Sequence, residues 1–251
     1  MNPLTINILV GVAAVVLGYL FGSIPTGVLV GKIFFHIDPR EVGSHNSGGT
    51  NVARTMGRGV GIAVIILDMF KTIIPVLIVW AVLTFSGLSE HMNWGVAVGN
   101  ATIGGAKVWY WAAGLAAALG HCWPLYIHFK GGKAVACFMG LNILTSWIEV
   151  LTAGITYLVV ATKSRFISLA SIVTAIVGSV VAWIIFILQV SIPWDITWLQ
   201  WNFHFGLFPV YGFEFAVVDT IIAVLLIVRH RANIARLRAG TESKNPFMKS
   251  E

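Results

Sequence analysis

The sequence predicts an all-α polytopic membrane protein with seven transmembrane helices, some of them short, the N-terminus outside and the C-terminus cytoplasmic. Three observations carry that expectation. Of 251 residues, 57% are apolar and only 10% are charged, against about a quarter charged in soluble domains, and the mean hydropathy is +0.86. The apolar residues gather into runs near 6–33, 60–84, 108–127, 134–162, 166–190 and 206–228, long enough for the roughly 20 residues a helix needs to cross a bilayer. The basic residues are unevenly spread over the gaps between those runs, with the gaps 85–107 and 191–205 nearly free of them, an asymmetry of the kind the positive-inside rule describes.

The first run begins MNPLTINILV, without the basic n-region and cleavage site of a secretory signal, and reads as an uncleaved span. Within it, GSIPTG (22–27) places Pro25 where a helix kinks. The second run holds Asp68 and Lys71 at i, i+3, which pair because a lone charge in a membrane is costly. The run 134–162 decides the count. As one span it makes six and puts Lys163, Arg165 and the basic C-terminus outside, against the positive-inside rule. Glu149 interrupts it within SWIEV, so the expectation is two short helices with a turn near Ser146–Glu149. Seven spans then place Arg40, Arg54, Arg58, Lys130, Lys133, Lys163, Arg165 and the basic tail inside, and leave Lys107 outside. Helices of about 14 residues, at about 1.5 Å per residue, would lean on neighbouring helices or on local thinning of the bilayer.

The remaining features refine this frame. Trp94, Trp194, Trp198 and Trp201 lie in the outer loops 85–107 and 191–205 and read as an aromatic belt at the headgroups. Cys122 and Cys137 form no ligand pattern and read as core residues. The net charge of +6 is spread over short loops, which points to anionic lipid and an anionic substrate and away from nucleic acid. Neither an internal repeat nor a separate soluble domain is evident, so 1–251 reads as a single membrane unit.

Three polar segments share the cytoplasmic side on this topology. In GSHNSGGT the spacing G-x-x-x-x-G runs from Gly43 to Gly48 with Thr50 beyond, but Gly49 stands where a Walker loop has its lysine. Gly43, Gly48 and Gly49 allow close backbone approach, and successive N–H groups in such turns form anion-binding nests. Ser44, Asn46, Thr50 and Asn51 add short donors, and Arg54 adds a fork suited to phosphate; the same composition also suits an ordinary flexible loop. HFKGGKA sets Lys130 and Lys133 around a glycine pair, as an anion site or as a plain basic loop. In RHRANIARLRAGTESK, His230 and Asn233 share a face if the helix continues. A solvated helix lying on anionic lipid explains that segment equally well, and Gly240 reads as its stop.

Taken together, these motifs resemble the bacterial acyl-phosphate:glycerol-3-phosphate acyltransferases, the PlsY family. The matching text is GSIPTG at 22–27, GSHNSGGTNVARTMGR at 43–58, GHCWPLYIHFKGGKAVA at 120–136, SRFISLAS at 164–171 and RHRANIARLRAGTESK at 229–244, in order along the chain. The resemblance implies a seven-span enzyme of the bacterial cell membrane. It would make lysophosphatidic acid from glycerol 3-phosphate and acyl phosphate, with no metal or other cofactor and with membrane lipid around it. It assigns catalysis to Ser44, Arg54, Lys130, His230 and Asn233. Substrate and phosphate binding falls to Gly43, Asn46, Gly48, Gly49, Thr50, Asn51, Lys133, Ser168 and Ser171. The family's first loop more usually reads GSGNPGATN, so His45, Ser47 and Gly49 depart from it, and Ala134 replaces a glycine usual after FKGGK.

Other chemistries fit less well. No Asp lies five residues after any of the seven histidines, so the His–Asp pair of acyl-CoA-dependent acyltransferases is missing, and no Gly-x-Ser-x-Gly elbow is present. A transporter or channel for phosphorylated anions is the alternative. It would place polar groups near the midplane and broken helices in paired halves, whereas here the polar text lies at one face. A lipid-binding scaffold leaves the spacing of the loops unexplained.

Overall fold

A computed structural model describes residues 2–92, 94–192 and 212–247. Asn2 caps the first helix, α1 (Pro3–Gly22), by accepting from the Leu4 N–H at 3.0 Å, with Pro3 in its first turn. GSIPTG interrupts the run: the chain restarts as α2 (Thr26–Val30) and runs on into a π-helical turn, Gly31–Phe35. A loop leads to α3 (Gly49–Met56), and a single glycine separates this from the long α4 (Arg58–Phe85). Next come α5 (Lys107–Cys122), α6 (Val135–Ile143), α7 (Trp147–Ser164) and α8 (Ile167–Ser191). The last two are α9 (Phe213–Arg229) and α10 (Arg231–Arg238).

The stretch 134–162 is two helices, but its division is unequal and lies earlier than expected. Helix α6 has nine residues and α7 has 18. Ser146 accepts from the Ile148 N–H at 3.2 Å, and Glu149 sits in the first turn, the pattern of a capping box. Glu149 thus lies inside the first turn of α7, where its carboxyl accepts from Thr145 Oγ at 3.1 Å, and does not mark the turn itself. A second departure is a two-stranded hairpin in the outer loop, with Val96–Val98 antiparallel to Ala101–Ile103. The Gly104 N–H donates to the Glu214 carboxylate and ties this hairpin to the start of α9. Trp194, Trp198, Trp201 and the beginning of the run at 206–228 lie outside the described residues.

Among the described residues, three helical stretches are long and apolar enough to cross a membrane: Pro3–Phe35, Arg58–Phe85 and Ile167–Ser191. Their outward faces carry exposed Ile8, Val12, Ile62, Phe70, Val180 and Ile184, the residues a hydrocarbon environment accepts. Inside, Trp111 is fully buried and its ring lies 4.9 Å from that of Phe215, so α5 and α9 share a centre with Phe138, Leu141 and Ile222. Helices α1 and α5 approach closely because Gly18 and Gly22 lie against the carbonyls of Ala113 and Ala117. Small residues drive contact between helices in lipid, where apolar side chains gain nothing by leaving the solvent.

Candidate active site

The first loop is shaped from within by Asn51, which is 1% exposed. Its carboxamide donates to the carbonyls of Pro39, Val42 and Asn46 at 2.6, 3.0 and 3.0 Å, and accepts from the Ser44 N–H at 2.7 Å. Gly43 takes φ +65 and a side chain there would strike Asn51, so the glycine is needed for both conformation and space. Asn46 turns the chain into α3 by accepting from the Gly48 N–H at 2.9 Å. Just before the loop, Arg40 pairs with Asp38 at 2.7 Å and donates to the Ile127 carbonyl at 3.2 Å. The Arg40 hydrogen bond holds the Asp38 carboxyl far below the usual carboxylate range against the opposing effect of burial.

The second loop links α5 to α6. His128, Phe129 and Ala134 all adopt left-handed φ, from +58 to +61, so Ala134 occupies a conformation that suits the glycine usual there. The glycine pair does not form an anion nest. The Gly132 N–H donates to the His121 carbonyl at 2.9 Å, and a side chain at Gly132 would collide with the His121 imidazole. Beyond the pair, Lys133 Nζ donates to Asn233 Oδ1 at 2.6 Å. Burial lowers the Lys133 ammonium to about 8, helped by the cations Arg236, Arg54 and Arg229 and opposed by Glu242.

The third segment is not a continuous helix. It breaks at His230, between α9 and α10, and Asn233 lies in the first turn of α10. His230 is 3% exposed, and its Nδ1 lies 2.8 Å from the Leu226 carbonyl. A carbonyl only accepts, so Nδ1 carries the proton and Nε2 keeps its lone pair. Burial, then the Lys133 charge, pushes His230 down to about 4, so the ring is neutral at physiological pH. Gly240, at φ +70, ends α10 as a C-terminal glycine does.

These loops converge on a cavity of about 190 Å³. Ser44, Asn46, Gly48, Gly49, Thr50, Asn51, Arg54, Lys133, Ser168, Ser171, His230 and Asn233 all line it, so most of the expected site residues meet. Lys130 does not: it is exposed and outside the cavity lining, because the left-handed turn at His128 and Phe129 precedes it. Gly43 is also outside the lining and acts on the loop behind it. Helix α3 presents its first turn beside Arg54. Gly49 and Thr50 lie ahead of the first helical hydrogen bonds, which the Asn51 and Val52 N–H groups make to the Gly48 carbonyl at 3.0 and 3.2 Å. Burial lowers the Arg54 guanidinium's pKa while Glu242 opposes the shift. The same cavity has an apolar share of lining, with Ile65, Val135, Met139 and Ile167.

Two groups in the cavity wall were not anticipated. Glu242 accepts from Ser168 Oγ at 2.8 Å, Asn233 Nδ2 at 2.6 Å and Arg236 Nε at 2.7 Å. Burial would raise its carboxyl, but these hydrogen bonds and the Arg236 charge outweigh burial and hold it below the ordinary value. Nothing in TESK distinguishes this glutamate from a solvated tail residue. The second group is His121, whose Nδ1 is 3.8 Å from Asp68. Asp68 pairs with Lys71 at 2.8 Å, as the i, i+3 spacing suggests, and accepts from Thr26. The break at Pro25 frees the Ile24 carbonyl for Lys71 Nζ at 2.6 Å, so the interrupted span supports a buried ion pair.

Comparison with known proteins gives this geometry its relatives. The family model described as glycerol-3-phosphate acyltransferase matches residues 12–240. The chain belongs to that family. It is 37% identical over 225 residues to a glycerol-3-phosphate acyltransferase of Geotalea daltonii, covering 90% of this chain and 92% of the relative. To a protein of the same name in Staphylococcus aureus it is 33% identical over 242 residues, covering 94% of this chain and 98% of that one. Two crystal structures of PlsY, an integral membrane glycerol 3-phosphate acyltransferase, are similar across 93% of this chain and 94% of theirs. The glycerol 3-phosphate form has TM-score 0.69 at 30% identity, and the lysophosphatidic acid form 0.68 at 29%. The glycerol-3-phosphate acyltransferase family thus supplies a membrane enzyme as the parent of this fold, and the transporter alternative loses its ground.

Proposed function

We propose that this protein transfers a fatty acyl group from acyl phosphate to the sn-1 hydroxyl of glycerol 3-phosphate. The products are lysophosphatidic acid and inorganic phosphate, and the reaction takes place at the cytoplasmic face of a bacterial cell membrane. The observation that carries the reading is one cavity lined both by cations and donors, Arg54 and Lys133 with the first turn of α3, and by the apolar side chains of Ile65, Met139 and Ile167. The first set suits phosphate and the second suits an acyl chain. The relatives named for glycerol 3-phosphate supply the acceptor.

Bringing two phosphates together is the main barrier to binding. Two unit charges 4 Å apart repel by about 4 kcal/mol at an effective dielectric of 20, and each phosphate carries more than one charge. Arg54, Lys133 and the α3 N–H groups provide the opposing field, with Ser44, Asn46 and Thr50 as neutral donors. Asn51 and Gly43 keep the loop in shape, and Ser168 and Asn233 are held by Glu242.

The chemical step forms a bond from the sn-1 oxygen to the acyl carbon and breaks the bond from that carbon to the phosphate oxygen. Acyl phosphate is a mixed anhydride with a good leaving group, so orientation matters more than a strong base. His230 Nε2 accepts the hydroxyl hydrogen bond and aligns the oxygen. A ring held near 4 is a weaker base than a phosphate whose second ionisation lies at about 6, so the proton finishes on the released phosphate.

The chain on this reading crosses the membrane seven times, N-terminus out and C-terminus in, with α6 too short to cross alone. Purified protein given acyl phosphate and glycerol 3-phosphate is expected to release phosphate without added divalent metal, and acyl-CoA is expected not to replace the donor. Absence of phosphate release, or equal use of acyl-CoA, overturns the proposal. Arg54→Ala is expected to lower kcat/KM by about 10²- to 10³-fold, the scale of one preorganised charge-stabilising donor.

A further inference from the structure

Arg229 ends α9 immediately before His230, yet it is absent from the cavity lining. Its Nε donates to the Gly132 carbonyl and its Nη2 to the Gly131 carbonyl, both at 3.1 Å. The guanidinium also lies 5.3 Å from the centre of the Trp123 ring, a cation–π distance. The same glycine pair is held from the other side by the Gly132 N–H bond to His121. Both carbonyls and one N–H of the pair are thus occupied by the scaffold, in the stretch of backbone that would otherwise have the most conformational freedom in the loop.

We propose that Arg229 is a positioning residue for acyl transfer. It fixes the two peptide planes that precede Lys133 and registers the second loop against the His230–Asn233 segment, so that Lys133 Nζ and His230 Nε2 face one cavity. The inference rests on the functional reading above, since it assigns Arg229 an effect through Lys133. Two features make the device specific to arginine. Its planar fork donates to two adjacent carbonyls from two nitrogens held in fixed relative positions, Nε and Nη2, whereas lysine offers one compact ammonium on a flexible stem that does not fix the two peptide planes in the same way. It is also covalently next to His230, so the same helix end that presents the imidazole sets the height of the lysine loop.

The test compares wild type with R229K and R229A by two readouts. The first is amine labelling of intact protein, read residue by residue by mass spectrometry. Lys133 is expected to label severalfold faster in both variants as it leaves Asn233. Lys71, buried in its own ion pair, stays protected as the control for unfolding, and Lys130, exposed, reports the reagent. The second is phosphate release, with kcat/KM expected to fall by about ten- to a hundredfold, as a misplacement near 1 Å costs. R229K retains the charge and loses the fork, so it is expected to resemble R229A. Unchanged Lys133 labelling in R229A, or wild-type labelling and rate in R229K, overturns the positioning role. Exposure of Lys71 together with Lys133 overturns it in favour of a general structural one. Wild type that labels as expected and releases no phosphate removes the functional reading and leaves the clamp intact.

Discussion

Two lysines flank one glycine pair, and the fold places them differently. Lys133 donates to Asn233 inside the cavity, whereas Lys130 is exposed outside it. Lys133→Ala is therefore expected to cost about 10²- to 10³-fold in kcat/KM, and Lys130→Ala only a few-fold; equal losses in phosphate release would return Lys130 to the site. The pH profile distinguishes them further. The groups facing Lys133 are Arg54, Arg229, Arg236 and His230, which disfavour its charge or sit neutral beside it, and Glu242, which favours it. With its pKa lowered to about 8, the ammonium is present below that pH and lost above it, so kcat/KM is expected to decline as pH rises past about 8. In Lys133→Arg any remaining activity should keep its alkaline limb well above that point; a limb still at pH 8 assigns the titration to another group. At this scale the sequence was most informative where chemistry needs a residue type in a polar loop. Arg54 drew attention for that reason, whereas His230 and Asn233 were singled out by the family resemblance; all three line the cavity. Glu242 and Arg229 were not, because a tail glutamate and a helix-end arginine look like solvated charge until their partners from other segments are seen.

Elements were legible by their caps and their small residues, less so by their lengths. The run 134–162 divides where Ser146 caps α7, and the S-x-x-E pattern was present in the text, but Glu149 drew attention as a charge in an apolar run and not as a first-turn residue of a helix. The hairpin 96–103 gave little signal because its strands have only three residues each. His45 and Ala134 stand where the family usually has glycine, and both take left-handed φ, +53 and +61, so the departures substitute side chains without altering the turn. The contact of α1 with α5 has a sharper consequence. Leucine in place of Gly18 would drive Cβ into the Ala113 carbonyl, which rigid backbone cannot yield. Gly18→Leu is expected to destabilise by about 1–3 kcal/mol, read as a lower thermal midpoint in detergent, with the remaining folded enzyme turning over normally. An unchanged midpoint would mean that the two helices are not packed through this glycine.

At the scale of the molecule, the catalytic loops, the ends of α7 and α9 and the tail all gather at one end, while the hairpin and the start of α9 gather at the other. Asn245 N–H, for example, donates to the Arg165 carbonyl at 2.8 Å, tying the tail to the turn between α7 and α8. A membrane around the apolar faces would then separate the two ends, and the proposed orientation rests on charge: the basic residues lie almost entirely at the cavity end, which the positive-inside rule assigns to the cytoplasm. This predicts a simple accessibility result. Cys122 and Cys137 are fully buried, so native thiols give a quiet background. Ala97→Cys on the hairpin and Ser243→Cys in the tail are both at exposed positions. In intact cells a membrane-impermeant thiol reagent is expected to label Cys at 97 and not at 243, and in inverted vesicles the pattern should reverse. Labelling of both from one side would break the seven-span count, since an odd number of crossings is what separates the two ends. Reversal of the whole pattern would keep the count and invert the orientation. That outcome would also place the proposed phosphate-binding cavity away from the cytoplasmic pool of phosphorylated substrate, so a full reversal would overturn the cytoplasmic siting of the proposed reaction along with the orientation.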